Sequence, residues 1–243
     1  MKKIVYIVIL LLLIGLSYGG YAFFLDDKVK GKQEHIIMAL GDSLTFGVGD
    51  SQEEGYVGKL ETILNSKSQN EKFSIYNYGI PGQESEGVLK QLTNPTISEK
   101  VNEADYIILF IGTNDLRYSS GGDFQTIDET VIKNEKRNYL DNINKIIKFI
   151  RQLDEQVPLM VVGLYNPFPD DHQLDLILKD WNHDLKETAS HYSSITYIPT
   201  DDLFQNKSKK NYFSDLLHLN RNGYHLIANR IGEEMMKGYG TTP

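Results

Sequence analysis

After about residue 32, the chain alternates short apolar runs with longer stretches in which apolar residues recur at helical spacing. Most of the short runs are apolar on both faces, which is typical of buried parallel strands. They lie at 36–40, 73–78, 106–111, 159–164 and 195–198. The periodic stretches predict amphipathic helices. These stretches lie at 56–64, 139–153, 174–185 and 224–235.

This alternation predicts an α/β fold, with one five-stranded parallel sheet and helices on both of its faces. We expect a single domain over residues 32–243, since the loops between the predicted elements are short. In open sheets of this kind, ligands bind beyond the carboxyl ends of the strands. Candidate functional residues should therefore follow the strands directly.

The first 31 residues have a different pattern and form a separate segment in this interpretation. Two lysines precede the uncharged residues 4–25, and two aspartates follow them. Such a stretch is long enough to span a bilayer as a helix, and the lysines favour a cytoplasmic start. We therefore expect an anchor in the cell membrane with the domain outside. The alternative is a cleaved signal peptide and a secreted protein.

Composition excludes several classes of site. The formal net charge is −8 and no basic stripe occurs along the chain, which argues against a nucleic-acid partner. The chain contains no cysteine, so a disulfide framework, a thiolate zinc site and a cysteine nucleophile are excluded.

Ser43 is the first candidate for chemistry, because it directly follows the first predicted strand. Serine and aspartate are also common helix caps and turn residues, so Ser43 by itself fits either a helix start or a nucleophile. A serine hydroxyl becomes a useful nucleophile only when a base takes its proton and a third group orients the base.

His218 is the best candidate for that base among the six histidines. His35 precedes the first strand and so lies at the opposite edge of the sheet, and the other four belong to helical patterns. Asp215 comes three residues before His218, so in a helical turn its carboxylate would face the imidazole Nδ1 and leave Nε2 towards Ser43. Both residues would otherwise be ordinary loop residues next to a helix cap.

Two further loops are expected at the same edge. The loop after the second strand offers the backbone N–H of Gly82, and the loop after the third offers the side-chain amide of Asn114. Both groups suit an oxyanion that forms during acyl transfer. Turn formation is the alternative for each loop, because glycine and asparagine are common turn residues.

Together, four sequence blocks resemble the SGNH hydrolases, also called the GDSL esterase and lipase family. The blocks are GDSL at 41–44, a glycine block at 77–83, GTND at 112–115 and DLLH at 215–218. The resemblance covers nearly all of the chain after the first segment. It implies a three-layer α/β/α fold of flavodoxin-like topology.

The resemblance also implies a serine esterase or lipase that works through an acyl-enzyme, with no metal or cofactor. Ser43 would be the nucleophile, and His218 and Asp215 would complete the triad. The oxyanion hole would consist of the Ser43 N–H, Gly82 and Asn114. The spacing from Asn77 favours Gly82 over Gly79, and Gln83 departs from the small or acidic residue of the family pattern.

The substrate is less well defined by the sequence. Tyr165, Asn166 and Phe168 follow the fourth strand, and we expect them to line a pocket, although they could equally pack the loops. Residues 117–134 form a candidate wall or lid. The expected partner is an acyl ester of a lipid or an acylated glycan. The alternative function is a membrane-tethered protein that binds a glycan or lipid without turnover.

Overall fold

The protein is described here by a computed structural model that covers residues 33–52, 54–124 and 126–239. The predicted anchor at residues 4–25 lies outside these ranges. Within them, none of the helices has both the length and the apolar content that crossing a bilayer requires. The domain boundary near residue 32 stays a prediction.

Five parallel strands form one sheet in the order β2-β1-β3-β4-β5. They are β1 (Gln33–Gly41), β2 (Glu71–Gly79), β3 (Tyr106–Phe110), β4 (Leu159–Val162) and β5 (Ile195–Ile198). This is the flavodoxin-like order, in which the first strand lies between the second and the third. The predicted parallel sheet and its five strands are confirmed.

Eight α-helices and one 3₁₀ turn (Lys209–Asn211) connect the strands in the described ranges. The helices are α1 (Ser43–Phe46), α2 (Gly55–Lys67), α3 (Ser85–Leu92), α4 (Pro95–Glu103), α5 (Thr113–Ser119), α6 (Glu129–Leu153), α7 (His172–Ser190) and α8 (Arg221–Tyr239). The four predicted helical patterns correspond to α2, α6, α7 and α8. Helices α1, α3, α4 and α5 were not predicted.

The three central strands β1, β3 and β4 are buried on both faces of the sheet, which makes the fold three layers thick. Ile37 and Ala39 of β1 pack in a core with α2 and α8, while Met38 and Leu40 face a second core with α3, α4, α6 and α7. Successive side chains of a strand point to opposite faces. Both sets are apolar here, so the strands read as continuous apolar runs.

Helices α3 and α4 were not predicted because each buries few apolar residues, so the sequence shows no clear apolar face. Val88 and Leu92 are the fully buried apolar side chains of α3, and Val101 is that of α4. A start signal for α4 is nevertheless present in the sequence. Asn94 accepts a hydrogen bond from Thr96 N at 3.0 Å. Pro95 occupies the first helical position, where a backbone N–H would have no partner within the helix, so its absence costs no hydrogen bond.

Strand register brings three loops to one place. Gly41, at the end of β1, pairs with Gly79 of β2 on one side and with Phe110 of β3 on the other. The three neighbouring strands therefore end at the same level. The segments that follow them contain Ser43, Gly82 and Asn114, respectively.

Candidate active site

Ser43 is the first residue of the short helix α1, and its hydroxyl is not used for capping. The cap is Asp42, whose Oδ1 accepts a hydrogen bond from Leu44 N at 2.8 Å. Ser43 Oγ instead lies 2.9 Å from His218 Nε2. The hydroxyl is therefore positioned to exchange a proton with an imidazole, and the helix begins without it.

The segment with Asp215 and His218 is a tight loop closed by an antiparallel bridge between Phe213 and Leu219. Asp215 Oδ2 lies 2.7 Å from His218 Nδ1. Asp215 Oδ1 accepts hydrogen bonds from the backbone N–H groups of Leu217 at 2.8 Å and His218 at 2.7 Å. Both carboxylate oxygens are thus fixed, and the imidazole is oriented from its Nδ1 side.

The charge on Asp215 is stabilised by these contacts. Partial burial alone would raise the pKa of the carboxyl group. The backbone and side-chain hydrogen bonds from His218, together with the one from Leu217, outweigh burial and hold the pKa of Asp215 below its usual value. The aspartate is therefore ionised at neutral pH and can stabilise a protonated imidazole.

Gly49 allows the loop after α1 to pack closely against the loop that contains His218. Its φ is +96°, a conformation that favours glycine, and a Cβ there would lie 2.5 Å from Leu219 O and 2.3 Å from Ser214 Oγ. Tyr224 adds a hydrogen bond from its hydroxyl to Val48 O at 2.6 Å. Direct packing of the two loops therefore sets the distance between Ser43 and His218.

Asn114 links the third strand's loop to the other two. Its side-chain Nδ2 donates to Gln83 O at 2.9 Å and makes a longer contact of 3.3 Å with Asp42 Oδ2. Asn114 is 2% exposed, so its amide has a fixed orientation. Asn114 is therefore connected by hydrogen bonds to Asp42, which precedes Ser43, and to Gln83, which follows Gly82.

Gly82 and Gly79 differ in the space around them. A Cβ at Gly79 would lie 2.4 Å from Phe46 N, so this glycine packs beneath α1. At Gly82, where φ is +80°, the nearest atom to such a Cβ is the Tyr118 hydroxyl at 3.9 Å. Gly82 is exposed and has free space around it, which favours it over Gly79 as a donor of a backbone N–H to a ligand.

Two buried aspartates flank these residues. Burial raises the pKa of Asp42 to about 7, with a further contribution from the nearby charge of Asp115. Burial also raises the pKa of Asp115 to about 6, against the hydrogen bonds that it accepts from Ser85. Asp42 accepts a hydrogen bond within its own loop, from Leu44 N, while Asp115 accepts hydrogen bonds from Ser85 in the neighbouring loop.

The three predicted substrate residues lie in different surroundings. Tyr165 is 3% exposed and donates its hydroxyl to Leu217 O at 2.9 Å, beneath the His218 loop. Asn166 accepts a hydrogen bond from Phe168 N at 2.8 Å, and the half-buried Phe168 ring has Lys209 Nζ 3.9 Å from its centre. This packing favours a supporting role for Tyr165. Contact with substrate stays a prediction for all three.

The predicted wall or lid at residues 117–134 is partly helical. Helix α5 continues to Ser119 and α6 begins at Glu129, while Arg117 Nε donates to Gly122 O at 2.5 Å within the turn between them. These contacts give the turn a defined shape. A lid function stays a prediction.

Four exposed apolar side chains near the site were not singled out from the sequence. They are Phe46, Ile80, Tyr118 and Leu216. Each belongs to one of the segments that contain Ser43, Gly82, Asn114 and His218. Large apolar residues in otherwise polar loops, within a few positions of predicted site residues, were the signal that could have identified them.

One group of potential metal ligands occurs in the described ranges. His183, Asp184 and Glu187 of α7 place their ligand atoms within 4.8 Å of one another. Asp184 already pairs with Lys136 at 2.6 Å, and the group belongs to none of the segments around Ser43. It takes no part in the candidate site, and the expectation of a metal-free reaction stays a prediction.

Comparison with known proteins connects this site to a family. A family model described as the GDSL-like lipase/acylhydrolase family matches residues 39–226. The protein YpmR of Bacillus subtilis (strain 168) is 32% identical over 216 residues, which are 86% of this chain and 85% of YpmR. The spore germination lipase LipC of Bacillus licheniformis is 30% identical over 207 residues, which are 83% of this chain and 95% of LipC.

A solved structure agrees with these matches. The lipase Lip_vut3 from a goat rumen metagenome is 30% identical, with a TM-score of 0.73 over 81% of this chain and 95% of that lipase. The matched residues 39–226 include all four sequence blocks on which the resemblance was based. The resemblance is confirmed: the chain belongs to the GDSL-like lipase/acylhydrolase family and is a hydrolase.

Proposed function

We propose that this hydrolase cleaves carboxylic esters through an acyl-enzyme on Ser43. The observation that supports it most directly is the chain of hydrogen bonds from Ser43 to His218 to Asp215, at 2.9 and 2.7 Å. The nucleophile and the base are thus within hydrogen-bond distance of each other, and so are the base and the carboxylate that orients it.

In the first step, Ser43 Oγ attacks the ester carbonyl carbon while its proton moves to His218 Nε2. The imidazolium is stabilised by the ionised Asp215 at Nδ1. When the tetrahedral intermediate collapses, the ester C–O bond breaks and the Nε2 proton goes to the departing alcohol oxygen. The products of this step are the free alcohol and Ser43 acylated on Oγ.

The second step repeats the same proton transfers with water. His218 Nε2 takes a proton from a water molecule as its oxygen attacks the acyl carbon. The second tetrahedral intermediate then expels Ser43 Oγ, which regains its proton from the imidazolium. The acid leaves and the enzyme returns to its starting state.

Gly82, Asn114 and the backbone N–H of Ser43 are the donors we assign to the oxyanion. The Ser43 N–H is at the start of α1, where no carbonyl of that helix can accept from it. Of the two Asn114 contacts, the 3.3 Å contact with Asp42 is the longer and weaker one. A developing oxyanion would replace that contact, while the 2.9 Å bond to Gln83 O keeps the amide in place.

We infer an acyl group with a hydrocarbon chain as the natural substrate feature. Four of the seven exposed large apolar side chains in the described ranges lie on the four site segments. Isolated exposed apolar residues need no explanation, but a concentration around one site indicates an apolar ligand. The names of LipC and Lip_vut3 as lipases agree with this choice. An acylated glycan is the second candidate.

We also propose that residues 4–25 anchor the enzyme in the cell membrane with the domain outside. The support is the length of the apolar stretch and the two lysines before it. Membrane fractionation followed by N-terminal sequencing tests this proposal. We expect the full chain in the membrane fraction. A mature form that begins near residue 25 in the medium would favour the secreted alternative.

The test of the ester hydrolase is Ser43→Ala in the full chain, with Ser190→Ala at the end of α7 as the matched serine control. We expect Ser43→Ala to abolish hydrolysis of a chromogenic ester and labelling by a fluorophosphonate, with an unchanged melting temperature. Ser190→Ala should keep both activities. A Ser43→Ala variant with full activity would overturn the proposal. A parent that binds esters without hydrolysing them would favour the binding protein.

A further inference from the structure

Ser85 and Asp115, both buried, and the half-buried Asn142 form a hydrogen-bonded group next to the candidate site, here called the Ser85 cluster. Ser85 N donates to both carboxylate oxygens of Asp115 at 3.0 and 3.1 Å, and the Ser85 hydroxyl donates to Asp115 Oδ1. Asn142 Nδ2 of α6 donates to Ser85 Oγ at 3.0 Å. Ser85 is 0% exposed and Asp115 is 1% exposed, so both are shielded from solvent.

The Ser85 cluster lies between the two loops that we assign to the oxyanion hole. Ser85 comes three residues after Gly82, and Asp115 directly follows Asn114. The hydrogen bond from Asn114 Nδ2 to Gln83 O, at 2.9 Å, is a second connection between the same two loops. The hydrogen bonds of Asn114 and Asp115, two adjacent residues, therefore restrict both the separation of the two loops and their relative rotation.

Helix capping alone does not account for this arrangement. Other helices in the described ranges are capped locally: the N-cap side chains of α1, α4, α6 and α7 accept the hydrogen bonds at their own helix starts. At α3, the N-cap residue Glu84 makes no such bond, and Asp115 from another loop accepts from Ser85 N instead. A local cap would satisfy α3 without burying a carboxyl group between two loops.

We propose that Asp115 and Ser85, supported by Asn142, are positioning residues for the oxyanion hole. They hold the Gly82 N–H and the Asn114 amide at the separation that one oxyanion requires. This inference rests on the proposed ester hydrolysis. None of the three side chains touches the Ser43 hydroxyl, so they act through Gly82 and Asn114 and not on the substrate itself.

The expected kinetic signature is a lower kcat with little change in KM. Oxyanion donors act only when charge develops, so their misplacement weakens binding of the transition state and leaves ground-state binding intact. Small displacements are costly, since a shift of about 1 Å in a catalytic geometry can cost about 10²-fold in rate. Removing one hydroxyl from the Ser85 cluster should displace the loops by less than that.

A double-mutant cycle provides the test. We expect Ser85→Ala to lower kcat about 10-fold to 30-fold in the parent, and less than about 3-fold in an Asn114→Ala background, because one of the two positioned donors is then already lost. Asp115→Asn should behave in the same way. Asn142→Ala, at a partly exposed position of α6, is the milder variant and should give a smaller loss in the same direction.

Binding of a tetrahedral transition-state analogue gives a readout that does not depend on turnover. The Ki of an alkyl boronic acid, which forms a tetrahedral adduct with a serine hydroxyl, should rise by about the same factor as kcat falls. Asn65→Ala is the matched control, since Asn65 bonds the backbone of Phe73 at the opposite edge of the sheet. That variant should lose stability and keep kcat.

Equal losses of kcat in both backgrounds would overturn the positioning role, and so would a lower melting temperature with unchanged kcat and Ki. An active Ser43→Ala variant would instead remove the proposed hydrolysis itself. If Ser43→Ala is inactive while Ser85→Ala and Asn114→Ala act independently, the positioning role alone fails.

Discussion

Two histidines stand next to aspartates at opposite edges of the same sheet, and their surroundings differ. At the amino edge, His35 Nδ1 lies 3.8 Å from Asp105 Oδ2, and the His35 ring stacks on Phe73 with centres 5.2 Å apart. At the carboxyl edge, His218 Nδ1 lies 2.7 Å from Asp215 Oδ2. Only the second distance is that of a hydrogen bond.

The two aspartates are also used differently. Asp105 Oδ2 accepts a hydrogen bond from the backbone N–H of Ile36 at 2.7 Å, which ties the start of β1 to the start of β3. Asp215 uses one oxygen for its own loop and the other for the imidazole. Proximity of a histidine and a carboxylate is therefore not sufficient for a site. The imidazole must be held at one nitrogen and meet a reactive group at the other.

The largest expected effect separates the two histidines. His218→Ala should lower kcat by about 10⁴-fold or more, because the base for Ser43 is removed. His35→Ala should leave kcat within about 3-fold and reduce the free energy of unfolding by about 1–2 kcal/mol through lost packing on Phe73. Initial rates and thermal melting on the same preparations measure both. Similar losses of activity in the two variants would contradict the different roles that we assign to His218 and His35.

The next effect concerns two asparagines, Asn114 at the carboxyl edge and Asn65 at the amino edge. Asn114→Ala should lower kcat about 10²-fold to 10³-fold with little change in KM, because the amide meets charge only in the tetrahedral intermediate. Asn65→Ala should reduce the melting temperature and leave kcat unchanged. If the folded Asn114→Ala variant has a kcat within a few-fold of the parent, Gly82 and the Ser43 N–H remain as the proposed donors.

A smaller effect is expected from the apolar side chains around the site. Phe46→Ser should raise KM for long-chain esters several-fold and leave KM for acetyl esters unchanged, because we expect only a long acyl chain to reach the ring. Tyr76→Ser is the matched control, since Tyr76 is 52% exposed and Phe46 is 53% exposed, but Tyr76 lies within β2. Equal changes for both ester lengths would argue against an acyl contact at Phe46.

The smallest effect is a pH dependence of stability at the carboxyl edge. With its pKa raised to about 7, Asp42 keeps a proton in the folded protein that the unfolded chain releases near pH 4. The free energy of unfolding therefore falls as the pH rises from about 4 to about 7. Asp115, with a pKa raised to about 6, acts in the same direction over a narrower range.

Asp42→Asn should remove the Asp42 part of that dependence and keep the acceptor for Leu44 N. The melting temperature of the variant relative to the parent should increase by about 3–6 °C between pH 5 and pH 8. Thermal melting of both proteins across this range is the measurement. Parallel pH curves would show that the Asp42 carboxyl group titrates in the folded protein as it does in the unfolded chain.

The elements that the sequence predicted best are those with many buried apolar residues. Helix α6 has its apolar residues on one face over twenty-five residues, and the strands have apolar residues on both faces. The single-turn α1 and the short α3 lack such a pattern. The start of α3 also depends on Asp115 from another loop, a contact that no local pattern contains.

The candidate site was predictable as far as it depends on strand ends. Ser43, Gly82 and Asn114 each follow a predicted strand, and parallel strands end at a common edge, so their proximity follows from the order of elements. The Asp215–His218 pair follows from local spacing. The link from Asn114 to Gln83 and the burial of Asp42 depend on how loops pack against one another. Spacing along the chain does not define that packing.

The hydrogen bond between Ser43 and His218 joins residues 175 positions apart, and this separation has a consequence for synthesis. A ribosome releases the strand and loop with Ser43 long before it makes the last loop and α8. Until the loop with His218 has been made and packs against the loop after α1, Ser43 lacks the base that the proposed mechanism requires. From the proposed mechanism we therefore expect a nascent chain that is inert towards esters until the two ends of the domain have met.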